Sequence, residues 1–170
     1  MKVRGFTLIE LLVTIAVLGL VLAAALPSFR GAIQNNRVTT QANELSTAFM
    51  LARSEAIKLT QATAICGSTD AASCGGAASW ANGYIVFVDQ NRNGVRDAAT
   101  EPLLRVFQIA SGGIAFTGAP ALVRYLPSGE IDSAVAVNFG ISIPQCIGQH
   151  ARTFQIPRTG RVQVARASCT

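Results

Sequence analysis

Hydrophobic and polar positions divide the chain into three stretches with different periods. From Phe6 to Leu26 the sequence FTLIELLVTIAVLGLVLAAAL is apolar on every side, with one charge, Glu10. A helix rising about 1.5 Å per residue would carry this run roughly 32 Å, enough to cross a bilayer. From Val38 the pattern narrows to a stripe. Val38, Ala42, Leu45, Phe49, Ala52, Ala56 and Leu59 recur at steps of four and three, while Arg37, Glu44, Arg53, Glu55 and Lys58 fall off it. That is one face of an amphipathic helix. After Thr60 the period shortens again. Ala62–Cys66, Tyr84–Asp89, Leu103–Gln108, Leu122–Leu126, Ala134–Phe139, Thr153–Ile156 and Arg161–Ala165 read as strands between Gly-, Asn- and Ser-containing turns.

The pattern predicts one helix from about Phe6 to Leu59 and a fold of the α+β class. A long N-terminal α-helix, transmembrane in its first half, packs on an antiparallel β-sheet globular head. Pro27 interrupts the helical pattern. It removes a backbone hydrogen bond and crowds the preceding turn, so a kink or a melted turn is expected there. The division is a leader at 1–5, a transmembrane or filament-core helix at 6–27, and a head at 28–170. The head is long enough for one domain with its own core.

Charge orients the span. Lys2 and Arg4 precede it, which keeps the leader cytoplasmic and sends the head outward. Glu10 is the anomaly, because a carboxylate in a membrane costs a few kcal/mol without a partner. A cut between Gly5 and Phe6 would create one, a free amine four residues away. In parallel helices staggered along their axes, the Glu10 of one subunit could meet the amine of the next and both charges would be neutralised. An ordinary secretory signal cut within Ala23-Ala24-Ala25 fits less well, since its shorter apolar core has no use for Glu10.

Gly5-Phe6-Thr7-Leu8-Ile9-Glu10 resembles the prepilin signature of type IV pilins and type II secretion pseudopilins. The resemblance implies that a prepilin peptidase cuts after Gly5 and methylates Phe6, and that Glu10 serves assembly with other pilin subunits. It places the protein in the inner membrane as a single-pass protein with a periplasmic head, and then in a pilus at the cell surface. Ala52-Arg53-Ser54-Glu55-Ala56, the Cys66–Cys74 loop, Trp80 with Asn82-Gly83-Tyr84, and Phe87-Val88-Asp89 with Asn91, Asn93 and Gly94 are similar to one subgroup, the GspH/FimT family. Its members include FimT/FimU minor pilins and H-type pseudopilins, with a long helix and a β-rich head. They are low-abundance subunits held to prime assembly near the filament tip. The expected function is therefore a minor type IV pilin, with an H-type minor pseudopilin of a type II secretion system as an alternative.

Cys66, Cys74, Cys146 and Cys169 all follow the span, and outside a membrane an even count favours two disulfides. Three connectivities are open. The expected pairs are Cys66–Cys74, which closes a Gly- and Ser-containing loop, and Cys146–Cys169, which ties down the C-terminus. A zinc site lacks the usual two-residue spacing, and His150 is the single histidine. Asp89, Asn91 and Asn93 before Gly94 open like a calcium loop, but Glu101 falls one place late and Arg92 and Arg96 intrude. A long hairpin turn is expected instead, with Asp89, Asp97 and Glu101 as loop solvation and turn caps. No nucleophile elbow, phosphate loop or catalytic triad can be assembled, so neither enzyme activity nor a cofactor is expected.

The formal net charge is +5, and its excess is concentrated at the end. After Asp132 there is no acid, but Arg152, Arg158, Arg161 and Arg166 follow. Arg158-Thr159-Gly160-Arg161 reads as the tip of a hairpin that could clamp phosphates. Some FimT-type pilins bind DNA through a C-terminal Gly-Arg-x-Arg motif. Here Gly160-Arg161-Val162-Gln163 keeps its first half, and Arg152, Arg158 and Arg166 are candidates to supplement it, with Phe154 the nearby aromatic for base stacking. Binding of double-stranded DNA for uptake is thus the other alternative. A solvated basic edge or a subunit contact is the competing account of the same arginines.

Overall fold

The computed structural model describes residues 6–109, 113–146 and 148–169, without the side chains of 24–28 and 30. Its first element is α1, Leu8–Leu59, 52 residues long. Thr7 caps its start, and Thr60, in a left-handed conformation, ends it with its N–H on the Ile57 carbonyl. The helix runs through Pro27 as the single helix expected from about Phe6 to Leu59, so of the kink or melted turn expected at the proline the melted turn does not occur. A proline forfeits one hydrogen bond, and the turns on either side are long enough to carry the helix across it.

The amphipathic stripe packs as its period requires. Val38, Ala42, Leu45, Phe49, Ala52 and Ala56 are buried, joined by Ala48 and by Gln41, whose amide reaches the Tyr84 hydroxyl at 3.3 Å. Leu59, last of the predicted stripe, is 37% exposed because the helix ends there and the chain turns away.

Eight strands follow: β1 Thr63–Gly67, β2 Gly83–Val88, β3 Leu103–Gln108, β4 Ala115–Thr117, β5 Val123–Tyr125, β6 Val137–Ser142, β7 Ala151–Ile156 and β8 Gln163–Ala167. They form two antiparallel four-stranded sheets, in the orders β3-β2-β1-β5 and β4-β6-β7-β8. The sequence pattern located seven of these strands to within a few residues but missed β4, whose three residues are too short for an alternation to register. A 3-10 helix at Ala77–Ala81 was also missed. It carries Trp80 into the core, where the indole N–H donates to the Pro120 carbonyl at 2.7 Å.

Both sheets pack on α1 around one core. Phe49, Trp80, Tyr84, Phe139 and Phe154 form its aromatic centre, with the Phe139 and Phe154 rings 4.8 Å apart and nearly parallel. β1 and β2 are buried on both faces. Their outer side chains, Ala64, Cys66, Ile85 and Phe87, make a second cluster with Cys74, Leu103, Val106 and Leu122. Cys66 is bonded to Cys74 and Cys146 to Cys169, with Cα separations of 5.6 and 5.4 Å.

Candidate functional site

The first half of α1 has nothing to pack on within the chain. Phe6 is 83% exposed, and every described side chain from Leu8 to Ala23 lies open. Burying such side chains is worth about 1.5–3 kcal/mol each, so a bare apolar helix of this length is a surface awaiting other apolar groups. Among the described residues no helix is long and apolar enough to cross a membrane. The described side chains of this run stop at Ala23, short of the Leu26 where the apolar sequence ends.

Glu10 has a local role that the sequence reading overlooked. Its N–H donates to Thr7 Oγ1 at 3.3 Å, and its Oε2 accepts from the Thr7 N–H at 3.5 Å. This is a capping box, and Thr7-Leu8-Ile9-Glu10 before an apolar run is its sequence signature. The carboxylate sits where the positive end of the helix dipole favours it. Gly5, on the other side of the expected cut, lies outside the described residues.

The C-terminal arginines do not form one patch. β7 and β8 are paired with Arg152 opposite Arg166 and Gln155 opposite Gln163, and the turn between them carries Arg158, Gly160 and Arg161. β7 lies along α1. Arg152 contacts Asn35 and Thr39, whereas the turn meets Arg53. The two ends are therefore roughly 20–27 Å apart along the helix.

At the end nearer the bare half, Arg152 is buried. Its Nη2 donates to Asn35 Oδ1 and Thr39 Oγ1, both at 2.8 Å, and its Nη1 to the Ala151 carbonyl at 2.9 Å. Burial, and then the neighbouring Arg166 charge, push its pKa below the ordinary guanidinium value. Arg152 thus pins β7 to α1 and is not available to a phosphate backbone at the hairpin tip. Phe154 is likewise withdrawn: it is fully buried against Phe139, so it cannot stack on a base. Nothing in the sequence separates an arginine facing a helix from one facing water.

At the far end Arg158 and Arg161 are exposed on a firmly held turn. Arg53 donates from Nε to the Gly129 carbonyl at 2.8 Å and from Nη2 to the Thr159 carbonyl at 3.1 Å. The Arg158 carbonyl accepts from Ile131, and the Pro157 carbonyl from Gly160. Gly160 has φ +76° and is buried, pressed so closely on the Gly129 carbonyl that a Cβ would collide with it. Its role is to let this turn dock, while Arg158, Thr159 and Arg161 beside it lie exposed.

The segment between β2 and β3 is the expected hairpin connection, exposed along most of its length and tied down by two buried acids. Asp89 and Glu101 are buried, contrary to the expectation that they solvate it. Asp89 accepts from Arg124 Nε at 2.6 Å and from the Gly94 N–H, and Arg124 reaches on to Asp132 at 2.9 Å. Burial opposes the Arg124 charge, but its hydrogen bonds to Asp89 and Asp132 outweigh that and raise its pKa. Glu101 accepts the Asn91 and Asp97 N–H groups, and Asn91 and Asn93 accept amides two residues on. The oxygens that resemble a calcium loop are thus spent on the chain itself. Among the described residues no group of three or more His, Cys, Asp or Glu is placed to hold a metal ion.

A half-bare helix rooted in a two-sheet head defines the class of pilin-type filament subunits, and comparison with known proteins agrees. A family profile described as type II transport protein GspH matches residues 41–160, and one described as the prokaryotic N-terminal methylation motif matches residues 1–26. The chain belongs to the GspH/FimT family of pilin-type proteins. Among solved structures it is similar to the type IV minor pilin FimU of Pseudomonas aeruginosa, at 21% identity over 79% of this chain and 96% of that one, with a TM-score of 0.58. It is also similar to the minor pseudopilin EpsH from the type 2 secretion system of Vibrio cholerae, at 13% identity over 76% of this chain and 97% of that one, with a TM-score of 0.51. At such identities the likeness is one of fold. No curated protein matches the chain. The protein is a minor pilin or pseudopilin of a type IV pilus or a type II secretion system, and its family and fold neighbours are structural subunits rather than enzymes.

Proposed function

We propose that the protein is a minor type IV pilin that enters the pilus through Phe6–Leu26 and helps prime its assembly. The observation that carries this reading is the first half of α1, apolar and uncovered, with Glu10 as its one acid. Prepilin peptidase cuts between Gly5 and Phe6, and the methylated amine of one subunit offsets the Glu10 carboxylate of its neighbour. Until then the helix sits in the inner membrane with the head in the periplasm. Glu10→Ala should still fold and insert, since it removes a charge from an apolar run. It should be lost from sheared pili, where the unaltered chain is recovered. Normal recovery of the variant would sink this assembly role. Recovery of the unaltered chain only with a secretion apparatus would favour an H-type minor pseudopilin.

One observation favours a second reading, in which the head holds double-stranded DNA for uptake. Arg158 and Arg161 are exposed on a turn that Arg53 holds in place. Two arginines should give weak, sequence-independent binding that falls steeply with salt. In gel shifts with the full chain in detergent, Arg158→Gln with Arg161→Gln should flatten the salt slope by about one to two units. Gln163→Arg should strengthen binding. If only the Gln163→Arg form binds, the DNA reading fails for this protein.

A further inference from the structure

Arg152 and Arg166 face each other across the β7–β8 ladder. Directly opposed residues in an antiparallel pair project from the same face, and like charges placed so destabilise the pair. The acceptors of Arg152, namely Asn35, Thr39 and the Ala151 carbonyl, are all neutral. The ion pairs among the described residues are Lys58–Glu55, Arg124–Asp89 and Arg124–Asp132, and none involves Arg152 or Arg166. The surrounding sequence offers no compensation: α1 carries no acid between Glu10 and Glu44 but does carry Arg30 and Arg37, and no acid follows Asp132. A buried cation beside an exposed one, with no carboxylate on either among the described residues, is a site short of an anion.

Its place in the fold says where the anion comes from. This is the end of the head from which the bare half of α1 departs. His150 lies beside it, with its Nε2 3.5 Å from where a Cβ on Gly31 would be. Gly31 is five residues past Leu26, about 7.5 Å along the helix, close to the outer edge of a lipid headgroup layer. Asn35 and Thr39 are one to two turns higher, about 6–12 Å along the helix axis. We propose that this end of the head is an anionic phospholipid contact, in which Arg166, with Arg152 behind it, takes lipid phosphates and holds the unassembled subunit's head against the membrane. Entry into a filament then removes the lipid and frees the head. The inference rests on the membrane-anchored pilin reading.

Native mass spectrometry of the full chain in detergent, titrated with phosphatidylglycerol or phosphatidylcholine, tests it. The expected result is about fivefold preferential retention of phosphatidylglycerol. Arg166→Gln should abolish that preference without lowering the melting temperature, since Arg166 is exposed and faces a like charge, and Arg166→Lys should keep most of it. Equal retention of the two lipids, or an undiminished preference in Arg166→Gln, overturns the proposal. Two competitors identify other sources. If inorganic phosphate displaces the lipid at equal concentration, a free anion is the ligand. If a short DNA duplex does so, this end belongs to nucleic acid. Either result ends the lipid assignment. Anchoring is checked separately, by whether the chain stays with membranes in alkaline carbonate. Loss there refutes the anchor, whereas the mass spectrum reports on the arginines alone.

Discussion

One helix serves two environments. From Val38 to Ala56 α1 buries a stripe one to two residues wide at each turn, and most of its remaining positions are polar. From Leu8 to Ala23 it exposes apolar side chains all round. The two stretches share backbone geometry and differ in what surrounds them. The contrast teaches that a stripe implies a partner on one side, already present in the chain, whereas an all-round apolar surface implies partners on every side that the chain does not contain. The proposed assembly role rests on the second kind, whose contacts would form with lipid or other subunits.

Substitutions in the two halves should therefore behave oppositely. The largest effect belongs to Phe49, fully buried between Trp80 and Phe139. Phe49→Ala should lower the head's unfolding free energy by about 3–5 kcal/mol in denaturant titration. Leu12→Ala, at a side chain 56% exposed, should leave it unchanged. Equal losses at both positions would break the contrast, because the bare half would then be packed on something within the chain.

Next in size is the tie at the end of the chain. β8 is an edge strand whose side chains are mostly open, and Cys146–Cys169 holds the segment that follows it. Replacing both cysteines by Ser should remove about 2–4 kcal/mol and speed amide exchange in Gln163–Ala167. Non-reducing peptide mapping of the unaltered protein should show Cys66 joined to Cys74 and Cys146 joined to Cys169. A peptide linking Cys66 to Cys146 would refute that pairing.

Gly160→Ala sharpens the comparison at the far end of the head. The positive φ and the collision with the Gly129 carbonyl should destabilise the head by more than about 1 kcal/mol in the same titration. An unchanged midpoint would mean that the turn is not docked and that Arg53 holds nothing. Smallest is Thr7→Ala, which removes the cap of the bare half. Its cost of about 1 kcal/mol should stay local, appearing as faster amide exchange in the first turn of α1 and not in the head. Exchange that rises across Val38–Ala56 as well would show that the two halves are coupled.

Much of this architecture was legible in the sequence because it depends on local period. The stripe from Val38 to Ala56 and the strand runs repeat within a few residues, and Gly5-Phe6 with Glu10 sits at a fixed spacing before an apolar run. The Thr7–Glu10 box was equally local and was overlooked, although its spacing is a known signal. The single helix across Pro27 was legible from the patterns on either side of it, and only the melted turn expected at the proline itself does not occur.

The sequence by itself determined the class of the protein: a bare apolar helix with one acid, an amphipathic continuation, and a strand-rich head carrying an excess of arginine. Only the tertiary structure decided what each arginine does. Arg152 and Arg158 are six positions apart and chemically identical, yet one is pinned under α1 by Asn35 and Thr39 and the other stands in water. The same holds for Asp89 and Glu101, buried although they lie among turn residues, and for Gly160, which faces a carbonyl contributed from Gly129. Burial and charge pairing are set by residues distant in sequence and brought together by packing, and no local period records those meetings.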